Sequence, residues 1–154
     1  MQIRRATPAD FLAIAALDRE AWREHPHGEF IPDGEHVWRV WVEQTIVYVA
    51  LADDGAAIGA VLVFPTLAGP WWLHKAFVAR DWRGRGVGTK LFEAALAEVD
   101  RLGHALCLTV EPNNKPARRL YESWGFRTAR LVKGYYRPHE DRAVLERKAR
   151  PHAS

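Results

Sequence analysis

Residues 81–92 read DWRGRGVGTKLF, placing Gly84, Gly86 and Gly88 at the mouth of an amphipathic helix, with Arg80, Arg83 and Arg85 around them. A helix N-terminus presents unpaired N–H groups and the positive end of the backbone dipole. Glycine removes the Cβ that would hold an anion away from that backbone. Each glycine costs up to about 1 kcal/mol against alanine in a helix interior, so a ligand is needed to offset it. The chemistry that suits this arrangement is phosphate binding. Two phosphate loops fail on spacing. A nucleotide P-loop ends in Gly-Lys-Ser/Thr, whereas the order here is Gly88-Thr89-Lys90. A dinucleotide fingerprint needs Gly-x-Gly-x-x-Gly after a first strand, whereas Gly84-x-Gly86-x-Gly88 follows several strands.

Periodicity and punctuation define the elements that must hold this loop. QIRRA is a short strand, and Thr7-Pro8 starts a helix over about residues 8–21 with Phe11, Leu12, Ile14, Ala15 and Leu17 at helical spacing. REHPHGEFIPDGEH is broken by prolines and glycines, and a second helix follows through Val37–Gln44. TIVYVALA and AIGAVLVF flank an Asp-Gly turn as an antiparallel hairpin, and WWLHKAFVA is a further strand. Leu91, Phe92, Ala95, Leu96, Val99 and Leu102 share one face of the helix after the glycines, which Gly103 ends. HALCLTV is a strand buried on both faces and parallel to the one before the helix. NNKPARRLYESWG is a short helix, and FRTARLV and AVLERKA are strands around the loop KGYYRPHED. The sum is an α/β (α+β) domain over residues 1–150, with about seven strands and about four helices, and a frayed tail at 151–154.

Composition excludes several classes. With 48% apolar residues, the 154-residue chain can bury a core of its own. The single cysteine, Cys107, lies in an apolar run, which excludes a disulfide framework and points to a reducing, cytoplasmic setting. No stretch has the length of a membrane span, and no apolar signal core follows the first charges. The net charge is +3, but 22 Lys and Arg are mixed with 19 Asp and Glu, which argues against a nucleic-acid partner. A monomer or a homodimer is equally compatible with the sequence.

Arg83-x-x-Gly86-x-Gly88 fits a third phosphate pattern, and a second stretch follows it: Asn114-x-x-Ala117-x-x-Leu120-Tyr121-x-x-x-Gly125-Phe126. Together they resemble the Gcn5-related N-acetyltransferase (GNAT) family, most strongly over residues 73–126. The resemblance implies a mostly antiparallel sheet whose central parallel pair splays apart, acetyl-CoA as cosubstrate, and no metal. It implies that the N–H groups of Arg83, Gly84, Arg85, Gly86, Val87, Gly88 and Thr89 hold the pyrophosphate, and that the backbone of Phe77 and Val78 pairs with pantetheine. Asn114 would hydrogen-bond the pantetheine arm, and Arg80, Arg83 and Arg85 are candidates for charge contacts.

Acetyl transfer to an amine poses two proton problems: the ammonium must lose a proton, and the departing thiolate gains from receiving one. The resemblance assigns the second role to Tyr121. It assigns the first to Glu111, directly after the ALCLTV strand, with His74 as the other candidate base. The C-terminal half resembles the ribosomal-protein alanine N-acetyltransferases, in which a Tyr-Tyr pair borders the channel for a peptide N-terminus; Tyr135 and Tyr136 stand in that place. The N-terminal half departs from that pattern. Glu24, Glu29, Asp33 and Glu35 could bind an ammonium, and Trp38, Trp41, Trp71 and Trp72 could wall an acceptor pocket, while Lys75 argues against a polycation. Transfer to a peptide N-terminus by direct attack in a ternary complex is the leading expectation. Acetylation of a small amine or amino acid, and a noncatalytic acyl-CoA-binding regulatory module, stay open as alternatives.

Overall fold

The computed structural model describes residues 1–24 and 32–150. Among them, seven strands form one sheet: β1 (Gln2–Arg5), β2 (Ile46–Leu51), β3 (Ala57–Phe64), β4 (Trp71–Val78), β5 (Leu106–Val110), β6 (Arg127–Val132) and β7 (Arg142–Arg147). Their order is β1-β2-β3-β4-β5-β7-β6. The helices are α1 (Phe11–Arg23), α2 (Glu35–Gln44), α3 (Val87–Leu102) and α4 (Lys115–Ser123). This is the mixed, mostly antiparallel architecture expected from the sequence. The one parallel pairing among the described strands, β4 with β5, registers Trp71 against Leu106 and Trp72 against Cys107, and the rest of β4 lies beyond that ladder. The tail expected to fray lies outside the described residues.

The chain divides into two compact units, and the first comprises Met1–Phe64 with His74–Glu98. Its core joins Ile14 and Ala15 of α1 and Trp38 and Val42 of α2 to Val47, Val49, Ala60 and Leu62 of the hairpin strands. Helix α1 starts later than the sequence suggests, because Pro8–Asp10 form a tight 3-10 turn. The Asp10 carboxylate accepts the Thr7 N–H at 2.7 Å and grips Arg4 through both oxygens, at 2.7 and 3.0 Å, which closes that turn. The Arg4 guanidinium holds the Asp10 carboxyl below the usual carboxylate range.

The second unit comprises residues 65–73 and those from Val99 onward. Cys107, Leu108, Leu145 and Val144 lie buried in its strands, as the unbroken apolar run in HALCLTV requires. Burial raises the Cys107 thiol to about 11, so it stays protonated at neutral pH, as suits a core group. Leu102, assigned to the buried helix face, is 38% exposed in the last turn of α3. Arg147 on β7 is buried, donates to both Asp100 oxygens at 2.6 and 2.9 Å, and gives its Nε–H to the Trp124 carbonyl at 2.8 Å. It ties β7 to the end of α3 and to the turn after α4. Arg147→Ala is expected to cost about 2–3 kcal/mol, at or below the low end for a broken buried pair because Asp100 keeps partial access to water. Urea denaturation measures this; a loss under about 0.5 kcal/mol would demote the pair to a surface contact.

Candidate active site

In the first unit the glycine loop follows β4 through a 3-10 turn, Arg80–Trp82, and leads into α3. The Ala79 N–H donates to the Ile58 carbonyl at 2.8 Å and fixes where β4 ends. Gly84 and Gly86 have φ of +74° and +80°, a left-handed conformation that disfavours a side chain, and a Cβ on either would meet nothing within 4 Å. The loop surface is therefore open where an anion would approach. Lys90 donates to the Gly86 carbonyl at 3.1 Å, and ahead of that bond stand the N–H groups of Val87, Gly88 and Thr89, which a helix cannot pair within itself.

Of the three arginines around the loop, Arg83 already has protein partners. Arg83 gives its Nε–H to the Val78 carbonyl at 3.0 Å and pairs with Glu24 at 2.5 Å, and its own N–H donates to the Arg80 carbonyl. Arg83 thus fastens the loop to the end of β4 and to α1, so its charge is already met and the expected N–H donors begin at Gly84. Arg85 lies over the Trp82 ring at 4.9 Å, and Arg80 is exposed. Phe77 and Val78 are half-buried at the end of β4, where the Val78 carbonyl already has Arg83 as a donor.

His74 and Lys75 meet a network that sequence reasoning missed. Asp18 on α1 is 5% exposed and accepts Lys75 Nζ at 3.0 Å on both oxygens, the Trp38 indole N–H at 3.1 Å and the Asp33 N–H at 2.9 Å. Lys75 also reaches Asp33 at 2.7 Å, and His74 Nε2 lies 3.1 Å from the same Asp33 oxygen. Burial alone would raise the Asp33 carboxyl, but His74 and Lys75 outweigh it and hold it low. The signal for Asp18 was its spacing, four residues after Ile14 on the apolar face of α1.

The carboxylates expected to bind an ammonium already have cationic partners where they are described. Asp33 is met by Lys75 and His74, Glu24 by Arg83 and Glu35 by Arg19 at 3.4 Å, while Glu29 lies outside the described residues. The aromatic wall is also reassigned in part. Trp38 is fully buried in the core, and Trp71 stacks on His104 at 3.9 Å. Trp41 lies beside His74, with ring centroids 5.3 Å apart.

In the second unit, Glu111 is exposed immediately after β5, and its carbonyl accepts the Asn114 N–H at 3.0 Å. Asn114 caps α4: its Oδ1 accepts the Ala117 N–H at 3.2 Å. Tyr121 lies two turns further on, half-buried and edge-on to Phe126. Burial raises its phenol from the ordinary tyrosine value, so it is protonated at neutral pH. Tyr135 and Tyr136 pack edge to face at 4.8 Å, and the Tyr136 hydroxyl lies 3.1 Å from Thr109 Oγ1.

The Asn114 cap uses one lone pair of the amide oxygen and leaves the Nδ2 group to donate to a ligand. Asn114→Asp keeps a good N-cap and removes that donor. The expected outcome is an unchanged melting temperature with a KM for acetyl-CoA raised about threefold to tenfold. Equal losses of stability and KM would leave Asn114 a cap alone.

A mixed sheet with one parallel pair, an open glycine loop at a helix start and a capped helix bearing a tyrosine are the features that the sequence resemblance leads one to expect. The Acetyltransferase (GNAT) family profile matches residues 12–126, and the chain belongs to that family of N-acetyltransferases. It is 26% identical to an N-alpha-acetyltransferase of Sulfurisphaera tokodaii over 94% of this chain and 90% of that protein. The structure of the ribosomal-protein-alanine N-acetyltransferase from Brucella melitensis shares its fold with a TM-score of 0.79 and 23% identity, covering 96% of this chain and 99% of that one. A chain of the NatC complex, solved bound to Gag peptide and CoA, has a TM-score of 0.74 and 22% identity over 97% of this chain and 100% of its own.

Proposed function

We propose that the protein moves the acetyl group of acetyl-CoA to the free amino terminus of a peptide or protein, by direct attack in a ternary complex, and that residues 1–150 act as one catalytic domain in the cytoplasm. The observation that carries the reading is the open loop at the start of α3, where a Cβ on Gly84 or Gly86 would meet nothing within 4 Å and the first N–H groups of the helix have no partner within it. N–H donors from Gly84 to Thr89 hold the diphosphate, and the end of β4 at Phe77 and Val78 borders the pantetheine. The naming of an archaeal relative as an N-alpha-acetyltransferase supports the choice of acceptor.

The proton roles follow from the second unit. Glu111 takes the ammonium proton through water, which frees the nitrogen lone pair. The C–N bond forms as the C–S bond breaks, the Tyr121 phenol gives its proton to the sulfur that leaves, and the second proton of the attacking nitrogen passes through water to the Tyr121 phenolate, leaving a neutral amide. Tyr135 and Tyr136 border the incoming chain, and His74, which lies 3.1 Å from an Asp33 oxygen, is a further candidate to contact the acceptor.

A panel of peptide N-termini and small amines, followed by release of the free CoA thiol, tests this. Turnover with peptides above that with spermidine, lysine and glucosamine is expected. Turnover confined to small amines would overturn the acceptor, and CoA binding without turnover on any amine would favour a regulatory module.

A further inference from the structure

The strand β6 carries one irregularity, and it aims a charge. Thr128 registers against Leu145 of β7 and Arg130 against Val144, so Ala129 is an extra residue bulged out of the ladder. Because a bulge shifts which residues share a face, Arg130 falls in one cross-strand row with Val144 and with Thr109 of β5. Thr109 is the residue that meets the Tyr136 hydroxyl. Without the bulge, Thr128 and Arg130 would share a face, and Arg130 would side with Leu145.

The loop between β6 and β7 is held in place over this row. Glu140 is 7% exposed and receives Arg137 at 2.6 Å and Arg142 at 3.6 Å. Its carbonyl accepts the Tyr135 N–H at 2.8 Å, and Asp141 accepts the Gly134 N–H at 3.0 Å. Arg142 lies over the Tyr136 ring at 5.1 Å. Each of these charges is therefore engaged within the loop. Arg130 is exposed and has no ion-pair partner among the described residues, and its charge acts on the Tyr135 hydroxyl against the upward push of burial. Glu146 shares the face but lies further along β7, opposite Cys107.

We propose that Arg130 is a specificity-determining residue that selects peptide acceptors carrying an aspartate or glutamate within their first few residues. The proposal rests on the N-terminal reading above and adds the acceptor's chemistry to it. An arginine beside a tyrosine pair offers a forked, charge-assisted hydrogen bond to a carboxylate, and a buried carboxylate beneath the loop keeps the neighbouring arginines from competing for it.

The test uses C-terminally amidated peptides that differ only at the second and third residues, with Asp, Asn or Lys there, and free aspartate as a separate acceptor. The wild-type protein is expected to favour the Asp peptide over the Asn peptide by about tenfold or more in kcat/KM, and over the Lys peptide by more still. Arg130→Gln should bring the Asp-to-Asn ratio to about one, and Arg130→Glu should invert the Asp-to-Lys preference, with the KM for acetyl-CoA reporting that the fold is intact. A wild-type ratio near one, or a ratio that survives Arg130→Gln, overturns the proposal. Transfer to free aspartate above every peptide overturns it in favour of an amino-acid acceptor. Transfer to small amines with none to any peptide overturns the N-terminal reading itself, and the proposal with it.

Discussion

Tyr121→Phe is expected to lower kcat by about 10²–10⁴-fold, the usual weight of a general acid, while CoA affinity changes little. The phenylalanine keeps the ring and its edge contact with Phe126, so packing survives and only the hydroxyl is lost. Burial raises the Tyr121 phenol, so the wild-type donor stays protonated through neutral pH and across the ordinary range of tyrosine ionisation. The sign follows: as pH rises, the wild-type rate should fall only at a pH higher than that at which an ordinary tyrosine ionises, and the variant should lack that fall. An acyl thioester with a less basic leaving thiol needs less protonation and should recover part of the lost rate. A variant with wild-type kcat would assign the proton to water and leave Tyr121 as packing.

Glu111→Gln should also lower kcat by about 10²–10⁴-fold, yet respond differently to conditions. Raising the pH supplies more free amine without help from the protein, so the variant should regain activity as pH climbs toward the acceptor's amine pKa. An acceptor with a low amine pKa should suffer less from the substitution. Glu111 is exposed at a strand end, so the substitution should not alter stability measurably. If kcat and its pH profile stay those of the wild type, Glu111 is not the base, and His74 beside Asp33 takes its place as the group to test.

The place of the glycine loop at a helix start was legible because its signal is local: the spacing of Gly84, Gly86 and Gly88 and the start of α3 lie within a few residues. The strands were legible for the same reason, since alternation and turn residues act over short windows. Asp18, Lys75 and Asp33 were not, because their meaning arises only when α1, β4 and the segment before α2 come together, and no local pattern announces a lysine shared by two carboxylates. Arg83 was read as an anion contact because its motif is local, whereas Glu24, which pairs with it, lies far off in sequence. The bulge at Ala129 likewise depends on register with β7, which RTARLV alone does not specify. The 3-10 turn before α1 escaped because Pro8 signals a helix start without distinguishing its first turn.

Calorimetric titration of CoA into wild-type protein and Gly88→Asp tests the central claim most directly. Gly88 suits the purpose better than Gly86, whose φ of +80° would strain any side chain. A Cβ at Gly88 meets only Val78 Cγ2, at an ordinary 3.7 Å, and an aspartate in the first turn of α3 complements the helix dipole. The folded state should therefore hold or gain stability while a carboxylate occupies the place of the diphosphate. CoA affinity is expected to fall by about 100-fold or more with an unchanged or raised melting temperature, and a phosphopantetheine probe lacking the diphosphate should lose far less. A folded Gly88→Asp protein that binds CoA as tightly as the wild type would contradict the account.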